Sequence, residues 1–239
     1  MPSWVSTIVD FTEIAESMSE ETIFLAGASR GVGAEIAKQL VQKSLPTIAL
    51  LRSDAAQSRL EASGIQVKFG DAMQLESLHQ AMVGQGVTTV ISTIGGMPED
   101  GERVDFVGNR NLIDAAVAAG AKRFILVSSI GVGESAQALP PKALEVLGGA
   151  LAAKAKAEQH LSASGLIYTI VRPGGLMQEP ATGNGFLTTA TNISGSIHRP
   201  DVAQLVCDCL VSEKSHGQTL AALDRHKVNG ERAVSEFSL

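Results

Sequence analysis

Short apolar runs alternate with helical apolar repeats along most of the chain, the pattern of βαβ units feeding a parallel sheet. Strands are predicted at Thr22–Ala26, Thr47–Leu51, 65–69, Val87–Ser92, 124–128 and 167–171, with a short last strand at 219–222. Helical spacing between them predicts helices over 33–43, 54–62, 75–83, 105–119, 151–163 and 200–211. Val32, Ile36, Leu40 and Val41 supply the apolar face of the first. Strands this uniformly apolar require right-handed crossovers and helices on both faces of the sheet. No internal repeat or low-complexity linker divides the chain. The predicted fold is therefore α/β, a doubly wound parallel sheet in three layers (α/β/α), made by a single domain over 22–239.

Two segments, 131–149 and 174–199, lack sheet periodicity. Both follow strands at their carboxyl ends, where open α/β sheets bind ligands, so they are read as substrate-side loops. Plain connections are the alternative. Residues 1–21 form an N-terminal extension in which Trp4, Ile8, Phe11, Ala15 and Met18 fall on one helical face. Either this helix packs on its own domain or it contacts a partner in a homo- or hetero-oligomer, and both readings stay open.

Composition narrows the class. A chain of 239 residues suits one domain, and 44% apolar with 18% charged residues is globular rather than disordered. Nineteen Lys and Arg against 25 Asp and Glu leave a net charge of −6, which offers no broad basic surface to nucleic acid. No run of about 18 apolar residues predicts a membrane span. The first residues are acidic where a secretory signal is basic and then apolar. Cys207 and Cys209 would point about 200° apart on a helix, so they cannot hold one ion, and their usage suits a reducing cytoplasm. No His, Asp, Glu or Cys spacing indicates a metal. His79, His160, His216 and His226 read as solvated, and His198, ahead of Pro200, is the one placed to approach a pocket.

The chemistry starts at Gly27-Ala28-Ser29-Arg30-Gly31-Val32-Gly33, which follows a predicted strand and opens a predicted helix. Glycines there permit a tight turn and let backbone N–H groups approach a pyrophosphate at the helix N-terminus, the fingerprint of a Rossmann-type dinucleotide site. An NAD site carries an acidic residue about 20 positions on, at the ribose 2′-hydroxyl. Here the second strand ends in Leu50-Leu51-Arg52-Ser53, and Arg30 adds a second guanidinium. Two planar donor forks suit a 2′-phosphate, so NADP(H) is the predicted cofactor.

Together with this turn, Phe69-Gly70-Asp71-Ala72, Ser92-Thr93-Ile94-Gly95-Gly96, the 111–116 and 122–129 runs, and 164–175 through Pro173-Gly174-Gly175 resemble the short-chain dehydrogenase/reductase superfamily. Arg199-Pro200-Asp201-Val202-Ala203 completes the likeness. Within the superfamily the chain is most similar to the atypical branch of NmrA-like and biliverdin-IXβ (flavin) reductase-like proteins. The glycine spacing alone is that of the Tyr-dependent branch. The resemblance implies a cofactor site of Gly27, Ser29, Arg30, Gly31, Val32, Gly33 and Arg52 at the first two strands. It adds Asp71 and Ala72 at the adenine, and Thr93, Ile94, Gly95, Ser128, Lys154, Pro173, Gly174 and Gly175 further along the cofactor.

The Tyr-dependent branch works through Ser, Tyr and Lys, with Tyr four residues before Lys on one helix. Ser129 and Lys154 match two of these, as candidate catalytic groups. Four before Lys154 stands Ala150, and shifting the register to Lys156 gives Ala152. The chain has one tyrosine, Tyr168, in a predicted strand. The likeness to the bilin and flavin reductases is incomplete too, since Pro173-Gly174-Gly175 replaces their Pro-Pro step and following histidine. A small-molecule acceptor with an extended π-system needs no strong protein acid. Sequence therefore points to NADPH-dependent reduction of a flavin, quinone or bilin-like acceptor, the alternative being a non-catalytic NADP(H) sensor or assembly scaffold of NmrA-like type.

Overall fold

The protein is described by a computed structural model over residues 22–96, 103–229 and 234–239. The predicted N-terminal extension and its apolar stripe lie outside the described residues. Strands β1 (Thr22–Ala26), β2 (Thr47–Leu51), β3 (Gln66–Phe69), β4 (Val87–Ser92), β5 (Arg123–Val127), β6 (Ile167–Pro173), β8 (Gly185–Thr188) and β10 (Gln218–Asp224) form one sheet. Its order is β3-β2-β1-β4-β5-β6-β10-β8, parallel except for the edge pair β8–β10. The short strands β7 (Gly175–Met177) and β9 (Ser196–His198) pair separately. This is the predicted Rossmann-type fold, with chain order reversing between β1 and β4, where such sheets open a ligand crevice.

Six helices cover the two faces: α1 (Gly31–Gln42), α2 (Gln57–Ala62), α3 (Leu75–Met82), α4 (Val107–Ala118), α5 (Pro141–Ser162) and α6 (Arg199–Val211). The strands are fully buried in the middle of the sheet, so residues on both faces are apolar. Ile23 and Leu25 of β1 face one core with α1 and α6, and Phe24 and Ala26 face the other with α3 to α5. Cys207 and Cys209 are both buried in the first core as packing residues, and burial pushes each thiol up to about 12.

Most elements fall within two residues of their predicted bounds, and the departures cluster in the two segments expected as substrate-side loops. Helix α5 begins at Pro141 rather than near 151, because proline is well placed in a first helical turn, where its missing N–H leaves no bond unmade. The expected loop 131–149 is thereby shortened to a turn of 3-10 helix, Gly133–Ala138, and the start of α5. The expected loop 174–199 contains β7, β8 and β9, including the one antiparallel strand of the main sheet.

Candidate active site

The turn after β1 is closed so tightly that only glycine fits. A Cβ on Gly33 would stand 2.1 Å from the Gly27 carbonyl oxygen, and one on Gly27 would stand 2.3 Å from Thr93 Oγ1. Gly27 and Gly31 also take positive φ angles of 98° and 59°. Thr93 holds the two turns together, donating from its amide and its hydroxyl to the Ala26 carbonyl at 3.0 and 3.2 Å. Helix α1 starts at Gly31 with no side-chain cap and no acidic residue in its first turn. Its first N–H groups are left for an anion, at the positive end of the helix dipole. These features fit a dinucleotide pyrophosphate.

Basic residues crowd the β2 side. Arg30 and Arg52 are both exposed at the crevice end of their elements, and Arg59 of α2 reaches back to donate to the Ser29 carbonyl at 3.0 Å. Arg59 was not apparent in the sequence, because its contact runs between segments 30 residues apart. Asp71 accepts the Met73 amide at 2.9 Å, and the Ala72 carbonyl accepts from Asn111 at 3.0 Å, so side chains and turns fix the backbone after β3.

The turn after β4 is pinned by two buried polar residues, Asn109 of α4 and Asp105 just ahead of it. Ser92 donates to Asn109 Oδ1 at 2.6 Å, and Asn109 donates to the Ile94 carbonyl at 3.3 Å. Asp105 accepts the Gly96 amide at 3.0 Å and pairs with Lys154 Nζ at 3.3 Å and Arg103 Nε at 3.1 Å. A Cβ on Gly95 would lie 3.5 Å from that same Lys154 nitrogen. The structure thus brings Thr93, Ile94, Gly95 and Lys154 together and adds Asp105 and Asn109. A buried Asp and Asn in a helix that reads as merely amphipathic are the signal that sequence inspection passed over.

Ser128 and Ser129 part company at the end of β5. Ser128 is buried and turns its hydroxyl to Glu158, while its amide donates to the Val171 carbonyl at 2.7 Å, so it serves the interior. Glu158 in turn holds Arg172 at 2.6 Å, and Arg172 reaches Glu134 at 2.7 Å. Burial works against the Arg172 charge, but Glu158 and then Glu134 overcome it and raise its pKa. The Glu134 carboxyl is held below its usual range, first by its own amide hydrogen bond and then by Arg172. Ser129 is half-buried, and its hydroxyl reaches only the adjacent Ile130 carbonyl, at 2.9 Å.

At the end of β6, Gly174 donates its amide to the Ala222 carbonyl at 3.0 Å and Gly175 donates to Gly195 at 2.9 Å. Pro173 has no N–H, so this stretch presents a wall to a ligand rather than backbone donors. Two cavities flank α5. One of about 430 Å³ is lined by Glu134, Glu158, Tyr168 and Arg172. The other, about 250 Å³, is walled by Phe106, Val107, Gly149, Ala152 and Ala153, beside the Lys154–Asp105 pair.

No phenol reaches this site among the described residues. Ala150 and Ala152 occupy the two candidate positions on α5, and Tyr168 lies at the opposite end of β6 from Pro173. Tyr168 stands five strand steps from Pro173, roughly 16 Å at the usual rise. His198 is 4% exposed, enclosed between Glu179 and Asp201 rather than facing an acceptor. The fold gathers His198, Asp201 and Asp224 so that one ligand atom from each lies within 4.8 Å of the others. Linear spacing does not show this cluster, because Asp224 comes from β10. Asp201 caps the Thr182 and Gly183 amides there, at 2.9 and 3.0 Å.

Comparison with known proteins bears on this geometry. A family described as NAD(P)H-binding matches residues 27–213. An uncharacterized chloroplastic protein of Arabidopsis thaliana is 32% identical over 224 residues, spanning 89% of this chain and 80% of its own length. Sanguinarine reductase of Eschscholzia californica is 28% identical, over 84% of this chain and 88% of that protein. Among solved structures, the anaerobilin reductase ChuY of Escherichia coli O157:H7 superposes with a TM-score of 0.78 at 30% identity, covering 89% of this chain and all of that one.

Proposed function

This chain belongs to the NAD(P)H-binding family, in the atypical branch of the short-chain reductases, and from that premise we propose that it is an NADPH-dependent reductase of a planar conjugated acceptor. The observation that carries the reading is a dinucleotide-type crevice without the phenol of the Tyr-dependent branch: Gly27, Gly33 and Thr93 close the turn, Lys154 stands at Gly95, and Ala150 occupies the tyrosine position. Reductases of sanguinarine and of anaerobilin among its relatives support an aromatic or tetrapyrrole-like acceptor over a simple ketone. Arg30, Arg52 and Arg59 favour NADPH, since three guanidinium groups on the β2 side suit a 2′-phosphate and no carboxylate ends β2.

In the bound state, nicotinamide supplies hydride, and the protein's part is binding, orientation and exclusion of water. Asp105 fixes Lys154 beside Gly95, where its ammonium would hold a ribose hydroxyl of a bound cofactor. Pro173 to Gly175 wall the far side. Ser129 offers a hydroxyl donor at the mouth of β5, bonded in the unliganded chain only to its neighbour's carbonyl and so free to turn to a ligand. The cavity at Phe106 and Ala152, with Arg103 and Lys156 also on its walls, offers a recess for the acceptor next to the Lys154 pair. An acceptor that takes hydride into an extended π-system draws its proton from water, so no protein acid is required.

The test is stopped-flow oxidation of NADPH with quinones, flavins, bilins and benzophenanthridine alkaloids, for the wild type and Ser129→Ala. Turnover with at least one planar acceptor and a Ser129→Ala loss of about tenfold in kcat/KM, the order of one hydrogen bond, are expected. Tight NADPH binding with no turnover across the panel would instead identify a non-catalytic sensor or scaffold. Equal kcat/KM in Ser129→Ala would remove that hydroxyl from the mechanism.

A further inference from the structure

Arg199 opens α6, on the far side of the chain from the glycine turn, yet its side chain returns to that turn. A Cβ on Gly31 would come within 3.8 Å of Arg199 Nε. Its Nη1 is fully shielded from solvent and has no hydrogen-bond partner. A guanidinium nitrogen stripped of water and given nothing in exchange is costly to keep, and guanidinium stays charged at any physiological pH. Such a group marks a place where an anion completes the structure. The neighbouring α1 terminus has neither a capping side chain nor an acidic first turn, so an anion there also meets unpaired N–H groups. About two turns further along α1, Gln39 Nε2 donates to the Pro200 carbonyl at 3.4 Å and ties α1 to the first turn of α6.

Resting on the dinucleotide reading above, we propose that Arg199 is a ligand of the cofactor's pyrophosphate, and that through it cofactor loading tightens the acceptor-side module. Apart from the exposed Arg30, the glycine turn brings only neutral groups to a dianionic pyrophosphate. Arg199 supplies the cation from the buried flank, opposite the exposed Arg30. The coupling follows from covalent adjacency. Arg199 directly follows His198, the last residue of β9, and β9 pairs with β7, which continues the Pro173-Gly174 wall. Gly175 is bonded to Gly195 across the same module. An anion that fixes Arg199 therefore fixes the strand that backs the acceptor.

The experiment compares full-length wild type, Arg199→Gln and Arg199→Lys. NADPH, NADH and 2′-AMP affinities are titrated, with hydrogen exchange over 174–198 and apo melting alongside. Because both dinucleotides share the pyrophosphate, Arg199→Gln is expected to weaken NADPH and NADH by the same factor, about 10- to 100-fold. Affinity for 2′-AMP, which has no pyrophosphate, stays unchanged, and Arg199→Lys recovers part of the loss. NADPH protects amides of 174–198 in the wild type and not in Arg199→Gln. The apo melting temperature does not fall, since Nη1 holds nothing in the unliganded chain. Unchanged dinucleotide affinities overturn the proposal, and so does a loss confined to NADPH, which would assign Arg199 to the 2′-phosphate. Loss of 2′-AMP affinity together with a lower melting temperature also overturns it, as a folding role. Failure of the wild type to bind any dinucleotide would refute the cofactor reading itself, a separate outcome.

Discussion

Two regions flank the ligand end of the sheet and are assembled differently. Around β1 and β4, the turn 27–33 and the turn 92–96 follow directly from their strands, and backbone clearance dictates the residues: a Cβ at Gly33 has 2.1 Å of room. Around β6 and β10, the acceptor-side wall is drawn from distant segments. Gly174 packs on Gly195, β8 pairs antiparallel with β10, and Asp201 of α6 caps the amides of 182–183. The first region is a demand made by a phosphate on any backbone. The second is a solution particular to this chain, built from contacts between segments far apart in sequence.

Breaking the tighter region should have the largest effect. Gly33→Ala forces a methyl into the Gly27 carbonyl and Thr93 hydroxyl, and is expected to cost about 1–3 kcal/mol of stability by urea denaturation. It should also weaken NADPH by more than roughly 100-fold, since it opens the turn that cradles phosphate. Next comes Arg52→Ala, which leaves the turn intact: NADPH affinity should fall about 10- to 100-fold with NADH unchanged, by fluorescence titration. An unchanged preference would shift the 2′-phosphate reading onto Arg30 and Arg59.

A third variant sharpens the contrast from the acceptor side. Asp224 is buried and, although burial alone would raise its pKa, the Thr182 hydroxyl and the His226 amide lower it. A carboxyl depressed on folding stabilises the protein above its ordinary range, and that contribution is lost as pH falls through the folded pKa. Asp224→Asn should cost about 1–2 kcal/mol near neutral pH and flatten the acid limb of stability against pH, with NADPH affinity preserved. Loss of cofactor binding in this variant would show that the two regions are not separable. The smallest effect belongs to Gly148→Ala, in a part of α5 where a Cβ meets nothing within 4 Å. Alanine there should raise stability by about 0.5–1 kcal/mol, seen as a higher melting temperature.

The same contrast explains what could be read in the chain. Strands β1, β2 and β4 coincide with their predicted runs, because strands covered on both faces are dominated by apolar and β-branched residues and carry no charge. The glycine turn, Thr93 to Gly95 and Lys154 were legible for a related reason, since their spacing is local or held to one helix. Strand β8 was not, as Gly185–Thr188 is four residues long and owes its conformation to β10. Neither was the charge that fixes Lys154, because Asp105 and Lys154 are joined across elements, and a buried carboxylate looks like any helix-start acid in one dimension. Arg199 was visible as part of a familiar word, but the unpartnered Nη1 of a side chain that returns to Gly31 was not.

The far end of α6 gives that last residue mechanical leverage. Arg123 of β5 donates to the carbonyls of Cys209 and Leu210 and to the Ser215 hydroxyl, satisfying acceptors that a helix leaves open at its carboxyl terminus. The helix has 13 residues, so its axis runs about 20 Å from this clamp to Arg199. With one end anchored to the centre of the sheet, a displacement of about 1 Å at the phosphate end becomes a swing of roughly 3° about a fulcrum at Arg123. α6 is then a lever arm, and the strand that precedes it travels with the moving end.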